Sequence, residues 1–394
     1  MMTSSVQTPI PIMLLISSLE YGGAERQVVE LMKNIDRSQF DPVVCSLSDH
    51  VPLAENLPDQ DNELLIVRKQ WKYDVTTIIR VARLMRQRKI RLVHAFLFDA
   101  EIVARLAAFL AGTRVVIGSE RNSDYRRPIL ETILQHITKY KLDALIANSN
   151  AGKDFSIRTL GLHDKSVFVV HNGVDIQRFL PDQKARSRTR EHLGIPSGAS
   201  LVGMVATFKK QKRHDYFFRM AQKVLQDNPD VWFVTIGEPL RDNQQGAGDY
   251  HEEIRRLVNE LKIFNRCIFL GSQSDMPGIY NACDITVLTS AREGTPNVLL
   301  ESMACGTPVI ASDVADNAEI VPNGKAGFIV PFGDVNAFAH YVHILISDND
   351  KRKYMGRQAR NWVSEKFSTI SLARNTEAIY SDILQEKGLL SVNG

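Results

Sequence analysis

Residues 293–313 read EGTPNVLLESMACGTPVIASD. Two carboxylates, Glu293 and Glu301, bracket seven residues that open with Gly294, Thr295, Pro296 and Asn297 and continue into an apolar run from Val298 and Leu299. Thr295 is suited to cap a helix, and Pro296 to its first position, where a missing N–H costs nothing. The helix is expected from Pro296 to about Ala304, with a stop near Gly306. Its first N–H groups, near Asn297 and Val298, lack acceptors within the helix, and the dipole is positive there. Glu301 shares the face of Asn297 and Val298. N–H donors and two carboxylate acceptors then meet in one small space. A phosphate bearing a hydroxyl-rich group, such as a nucleotide sugar, matches that set.

Three further stretches offer chemistry of the same kind. In LEYGGAERQVVEL, Gly22 and Gly23 let the backbone turn tightly and approach a ligand. The stretch is not G-x-G-x-x-G, so nicotinamide binding is disfavoured, and a plain turn is the alternative. In VGMVATFKKQKRHDYFF, Lys209, Lys210, Lys212 and Arg213 crowd a loop between a strand and a helix. Cations at a strand's carboxyl end suit a phosphate, although such a run also fits a solvated loop. The segment FLGSQSDMPGIYNACDITVLTS contributes a loop after Leu270 that either holds a base through backbone groups or merely connects elements.

The elements that must position these residues alternate along the whole chain. Apolar runs near residues 12–17, 42–47, 64–67, 92–95, 115–118, 144–147 and 167–170 read as strands, with helix-period segments between them. Six more strands are expected near 201–206, 232–236, 267–270, 285–288, 308–311 and 327–330. Such alternation predicts an α/β fold of two doubly wound, Rossmann-like domains. Their expected ranges are 1–180 and 181–370, joined by the polar linker 180–198. A final helix is expected at about 371–388. Ligands of open α/β sheets bind beyond the carboxyl ends of the strands, so the active cleft is expected between two facing domains.

Composition narrows the class. The chain has 394 residues, 44% hydrophobic and 24% charged, and a net charge of +3, which argues against strong nucleic-acid binding. Cys45, Cys267, Cys283 and Cys305 are scattered in apolar sequence and read as reduced core residues of a cytoplasmic protein. The N-terminal apolar run lacks a basic flank and reads as a buried first strand.

The ordered set GGAERQVVEL, VVHNGVDIQRF, Lys212 and EGTPNVLLESMACGTPVIASD resembles glycosyltransferase family 4, the retaining enzymes with the two-domain GT-B fold. Glu293 and Glu301 match the family's E-x7-E signature, and the likeness covers nearly the whole chain. It implies that Glu301 accepts hydrogen bonds from ribose hydroxyls and that Glu293 lies beside the donor sugar. It also implies that backbone N–H groups from Thr295 to Leu299 hold sugar and diphosphate, that Lys212 neutralises the departing diphosphate, and that Gly22 and Gly23 approach it from the first domain. In addition, it implies a final helix that crosses back to the first domain, and a catalytic role for His94, for which a core histidine is the alternative. One position departs from the family: many members carry arginine where this chain has Thr207, so that charge is either missing or supplied elsewhere, with Lys209, Lys210 and Arg213 as candidates. Glu120, Arg121 and Asn122, at the end of the next strand, are acceptor-side candidates.

The implied reaction moves a sugar from a nucleoside-diphosphate sugar to a hydroxyl of a saccharide or lipid-linked acceptor with retained configuration. A UDP-sugar is favoured over GDP-mannose. No metal is expected, because neither Asp59-Gln60-Asp61 nor Asp348-Asn349-Asp350 follows a strand at the expected cleft. A hydrolysing sugar-nucleotide epimerase and a non-catalytic nucleotide-sugar-binding protein remain alternatives. Residues 66–91 hold nine basic residues (68, 69, 72, 80, 83, 86, 88, 89 and 91) against Asp74, with Trp71 and Tyr73, and are expected to meet an anionic membrane surface. The protein is therefore placed in the cytoplasm, peripheral to the membrane's inner face.

Overall fold

The computed structural model describes residues 8–71, 74–121, 128–239 and 247–390. The chain forms two compact units: residues 1–173 with 369–394, and residues 174–368. The divisions therefore fall at 173/174 and 368/369, a few residues before the expected 180/181 and 370/371.

The first unit runs β1 (Ile10–Ile16), α1 (Gly23–Asn34), β2 (Phe40–Ser46), α2 (Gln60–Glu63), β3 (Leu64–Ile66), α3 (Thr76–Gln87), β4 (Leu92–Phe96), α4 (Phe98–Ala111), β5 (Val115–Glu120), α5 (Ile129–Thr138), β6 (Ala144–Ala147), α6 (Asn150–Leu160) and β7 (Val167–Val169). The strands are parallel, in the order β3-β2-β1-β4-β5-β6-β7. Both sheet faces are covered, which explains why β1 is apolar at every position rather than alternating. Met13 and Leu15 pack with Val81 and Ala104 of α3 and α4, whereas Leu14 and Ile16 pack with Val28 and Met32 of α1.

The second unit runs α7 (Gln183–His192), β8 (Leu201–Val205), α8 (His214–Asp227), β9 (Trp232–Ile236), α9 (Ala247–Glu260), β10 (Cys267–Leu270), α10 (Met276–Ala282), β11 (Ile285–Leu288), α11 (Asn297–Ala304), β12 (Val309–Ser312), α12 (Asn317–Ile320), β13 (Gly327–Val330), α13 (Val335–Ser347) and α14 (Asn349–Lys366). Its parallel sheet has the order β10-β9-β8-β11-β12-β13. In both sheets the direction of winding reverses once, between β1 and β4 and between β8 and β11. Those two switch points are where an open α/β sheet presents its ligand crevice.

The expected linker 180–198 contains α7. Asp182 caps it by accepting from Lys184 and Ala185 N–H. Arg186 and Arg190 pin it to Asp284, at 2.7 and 3.3 Å, and to the carbonyls of residues 281–283. Ala185 is its one buried residue, so no apolar stripe marks it in the sequence.

After the second unit, α15 (Thr369–Glu386) returns to the first. Leu372, Ile379, Tyr380, Ile383 and Leu384 join Ile12, Phe40, Leu92 and Ile117 in one core. The four cysteines are free and buried, and burial pushes each thiol up to about 12.

Candidate functional site

The rim at the β8/β11 switch point gathers Lys209, Lys212, Arg213 and Glu293 of the second unit. After β8 the chain makes a short turn through Lys209–Lys212, and after β11 it runs through residues 289–296 into α11. The two loops are laced together. Thr289 Oγ1 donates to the carbonyls of Lys212 and Arg213 at 3.1 and 2.8 Å, Gln211 Nε2 donates to Arg292 O at 2.7 Å, and Ala291 N–H donates to Gln211 O at 2.8 Å. This lacing brings Lys212 Nζ to 2.6 Å from Glu293 Oε1, with side chains only 20% and 9% exposed. A charge-assisted hydrogen bond so shielded from water is strong and fixes both groups.

Glu301 lies on α11, buried, and its Oε2 accepts from Tyr280 O–H of α10 at 2.7 Å. Tyr280 is fully buried, in contact with Phe179. The sequence reading missed Tyr280, which stood in an apolar run with nothing to mark its partner. Thr295 does not take the N-cap position. Pro296 occupies it, with φ −75° and ψ 109°, and no side chain caps the helix. The reason is that the helix starts one residue late, at Asn297. Leu299 N–H is taken by Pro296 O at 3.1 Å, within the first turn of α11. Gly294 joins Glu293 to Thr295, which is itself buried.

The structure separates the candidates for the charge missing at Thr207. Thr207 is exposed at the end of β8. Arg213 is bound to Asp215 in a two-pronged ion pair, Nε–Oδ1 at 2.8 Å and Nη2–Oδ2 at 2.6 Å, and its guanidinium lies 3.6 Å from the centre of the Tyr216 ring. Asp215 holds that guanidinium above its ordinary pKa, and Arg213 has a left-handed backbone, φ 53°. Arg213 is thereby committed to its own helix start. Lys210 is exposed. Lys209 feels both Lys212 and Glu293. Burial, reinforced by Lys212 and opposed by Glu293, holds its ammonium below the ordinary value.

The β1/β4 switch point of the first unit is chemically different. Gly22 precedes α1, and Gly23 begins it. The Glu25 carboxylate folds back against Gly22. Burial, with Glu20 nearby, raises the Glu25 pKa. His94 does not end its strand, because β4 continues to Phe96. His94 is 1% exposed, with Nδ1 2.6 Å from Tyr380 Oη and Nε2 2.7 Å from Ser119 Oγ. Burial, reinforced by Arg121, holds its pKa well below the ordinary value. Its geometry fits the core alternative: both nitrogens serve to fasten α15 and β5. Glu120 is buried at the end of β5. Arg121 Nη1 donates to Asn172 Oδ1 at 3.1 Å, and its guanidinium stacks 5.1 Å from the Phe96 ring centre. Asn122 lies outside the described residues.

In the basic stretch 66–91, Lys72 and Tyr73 also lie outside the described residues. Arg68, Lys69 and Arg80 pair with Asp49, Asp99 and Asp74. The exposed cations concentrate at the end of α3 and just beyond it: Arg83, Arg86, Arg88, Lys89 and Arg91. Both Asp-x-Asp triplets have structural duties, since Asp59 caps α2 and Asp348 caps α14. Among the described residues no helix is long and apolar enough to cross a membrane.

Comparison with known proteins agrees with this architecture. The family described as Glycosyltransferase Family 4 matches residues 21–178, and the one described as Glycosyl transferases group 1 matches residues 185–362. The Escherichia coli UDP-Gal:alpha-D-GlcNAc-diphosphoundecaprenol alpha-1,3-galactosyltransferase is 24% identical over 379 residues, which span 93% of this chain and 95% of that one. The D-inositol 3-phosphate glycosyltransferase of Corynebacterium jeikeium is 29% identical over 267 residues, 66% of this chain and 62% of that one. The crystal structure of Anabaena HepE in complex with UDP superposes with a TM-score of 0.83 at 23% identity, covering 95% of this chain and all of that one. Two parallel sheets of like winding, each matched along its own half, place the chain in glycosyltransferase family 4, with the GT-B fold.

Proposed function

We propose that the protein transfers a sugar, with retained anomeric configuration, from a nucleoside-diphosphate sugar to a hydroxyl of a saccharide or lipid-linked acceptor. The observation that carries this reading is the Lys212–Glu293 pair, set between two laced loops at the β8/β11 switch point, just before the start of α11. Fixed positive groups at that place suit a departing diphosphate, and they need no rearrangement as its charge grows. Lys212 neutralises the diphosphate, and Lys209 supplies the second charge that Thr207 does not. Glu293 holds Lys212 before the donor arrives and faces the donor sugar afterwards. Glu301, oriented by Tyr280, accepts from the ribose hydroxyls. The Asn297 and Val298 N–H groups take the sugar or phosphate oxygens.

In the reaction, the bond from the anomeric carbon to the diphosphate oxygen breaks through an oxocarbenium-like state. The acceptor oxygen bonds to that carbon on the same face, and the leaving phosphate takes the acceptor proton. Glu120 and Arg121 serve the acceptor side, and no divalent metal is required. A UDP-sugar is the favoured donor, in keeping with the UDP-Gal named for the E. coli relative and the UDP bound to HepE. That relative's diphosphoundecaprenol-linked substrate supports a lipid-linked acceptor. The cations around residues 83–91 would then meet the anionic surface in which such a lipid resides. The test is a screen of UDP- and GDP-sugars by thermal shift, followed by NMR of the product formed on a lipid-linked saccharide. A glycoside with the donor's anomeric configuration is expected. An inverted product, a rearranged free sugar, or tight donor binding without transfer would overturn the reading.

A further inference from the structure

The helix α5 is turned inside out. Its sequence, ILETILQHIT, has apolar residues at 129, 130, 133, 134 and 137, and such a stripe ordinarily faces a core. Here the buried residues are Gln135 and Thr138. They close on Arg105 of α4, which is itself fully buried. Arg105 Nη1 donates to Gln135 Oε1 at 2.8 Å and to Thr138 Oγ1 at 3.1 Å, and Nη2 donates to Glu101 Oε2 at 2.6 Å. Gln135 Nε2 donates to that same oxygen at 3.1 Å, while Glu101 Oε1 accepts from Ser119 N–H at 3.0 Å. These directional bonds set the rotation of the helix, so its isoleucines are held outward.

The outward face is large and apolar. Ile129 and Ile137 are 81% and 69% exposed, Tyr140 just beyond is 83% exposed, and Leu130 and Ile133 are nearly half exposed. Phe109 and Leu110, at the end of α4, extend the patch. Cations fringe it. Lys141 Nζ lies 4.2 Å from the Phe109 ring centre, Lys139 Nζ lies 5.4 Å from that of Tyr140, and Arg86 of α3 donates to the carbonyl of Leu110. The exposed basic end of α3 therefore adjoins the apolar face of α4 and α5. Contiguous apolar surface of this kind marks an interaction site.

We propose that the outer face of α5, with Phe109 and Leu110, inserts into the interfacial layer of an anionic membrane. An apolar helix face flanked by lysine and arginine, with an aromatic ring at its edge, matches the chemistry of a helix lying in that layer. Charge decides against a second copy. A two-fold interface would set this patch against itself and bring the Arg86, Lys139 and Lys141 of one copy toward the same cations of the other, adding like charge around the seam. The inference deepens the membrane contact proposed above and rests on it for biological purpose. Vesicle binding needs neither donor nor acceptor, so its failure would leave the transfer reaction standing.

The experiment is co-sedimentation of the full chain with vesicles of phosphatidylcholine alone or mixed with phosphatidylglycerol. Strong binding to the mixed vesicles is expected. The I133E/I137E variant should lose it by about a hundredfold or more, the cost of removing two buried isoleucines, while keeping its circular dichroism and melting temperature. The R83Q/K89Q variant should lose only the preference for anionic lipid. A second measurement does not depend on how the glutamates are tolerated: an environment-sensitive dye on I137C, in a chain whose native cysteines are buried, should shift to the blue on vesicles. Unchanged binding by folded I133E/I137E, a dye that ignores vesicles, or a wild-type dimer that I133E/I137E turns to monomer without loss of vesicle binding would each overturn the proposal.

Discussion

The two switch points occupy the same place in two sheets of the same winding, yet they carry opposite chemistry. Between β8 and β11, loops laced by Thr289 and Gln211 hold a lysine against a glutamate, with a second lysine nearby. Between β1 and β4, the turn at Gly22 is covered by the Glu25 carboxylate, and the histidine of the neighbouring strand is spent inside the core. Topology offers both rims as crevices; their side chains give the two rims different charge. The backbone at Leu97, φ 72° and ψ 153°, adds a conformation that costs about 1–3 kcal/mol just where β4 ends. The first rim is thus shaped by backbone and packing, the second by fixed charge.

That contrast breaks or sharpens under mutation. The largest effect is expected at Lys212. Lys212→Ala should lower turnover by about 10²–10³ with the fold intact, the usual cost of removing one fixed electrostatic group, and EDTA should do little. Activity lost in EDTA and restored by Mg²⁺, together with a near-normal Lys212→Ala enzyme, would transfer the role from the lysine to a metal.

Next comes Glu301→Ala. It removes a charge-assisted hydrogen bond of about 1.5–3 kcal/mol and should weaken nucleotide binding about ten- to a hundredfold by calorimetry. Unchanged affinity in a folded variant would remove ribose recognition from the second rim. Tyr280→Phe keeps the carboxylate but frees its rotation. It should weaken donor binding only a few-fold, near 1 kcal/mol, and leave turnover at saturating donor nearly unchanged. A turnover loss matching that of Lys212→Ala would show that Tyr280 acts on the reacting atoms.

The smallest effect on catalysis is expected at His94, although it should register in stability. A folded-state pKa held below the ordinary value of about 6.5 means that the unfolded chain binds the proton more readily. The stability contributed by neutral His94 is therefore complete above about pH 6.5 and is lost as pH falls below it. His94→Gln should cost about 1 kcal/mol at pH 7 and flatten the fall in melting temperature between pH 7 and about pH 5. Part of the slope should persist, because burial also holds His214 down to about 3. A His94→Gln enzyme that melts normally but turns over slowly would return the histidine to the reaction.

What was legible in the sequence follows the physics of each element. The strands among the described residues lie within a few residues of the apolar runs that announced them, because most of them are buried on both faces and a strand so placed must be apolar throughout. The helix α7 was hidden because it is held by arginines on carbonyls and on Asp284 rather than by an apolar stripe. The acidic pair at Glu293 and Glu301 was visible from spacing. Its partners were not, since Tyr280 and Lys212 reach it across 21 and 81 residues of chain. His94 lies two residues inside β4, so its burial depends on the strand running on to Phe96, which the apolar run 92–95 does not reveal.

The return of α15 bears on how the protein comes into being. The core that holds Ile12 and Leu92 is closed by Tyr380, Ile383 and Leu384, and Asp36 N–H waits for Glu377 Oε1, 341 positions later. Contacts of such separation form slowly and late. On the ribosome, the second unit is complete while the first still lacks one wall of its interior. The half of the chain made first therefore finishes folding last, and until residue 369 and those after it emerge, its open apolar side is the surface most in need of a chaperone.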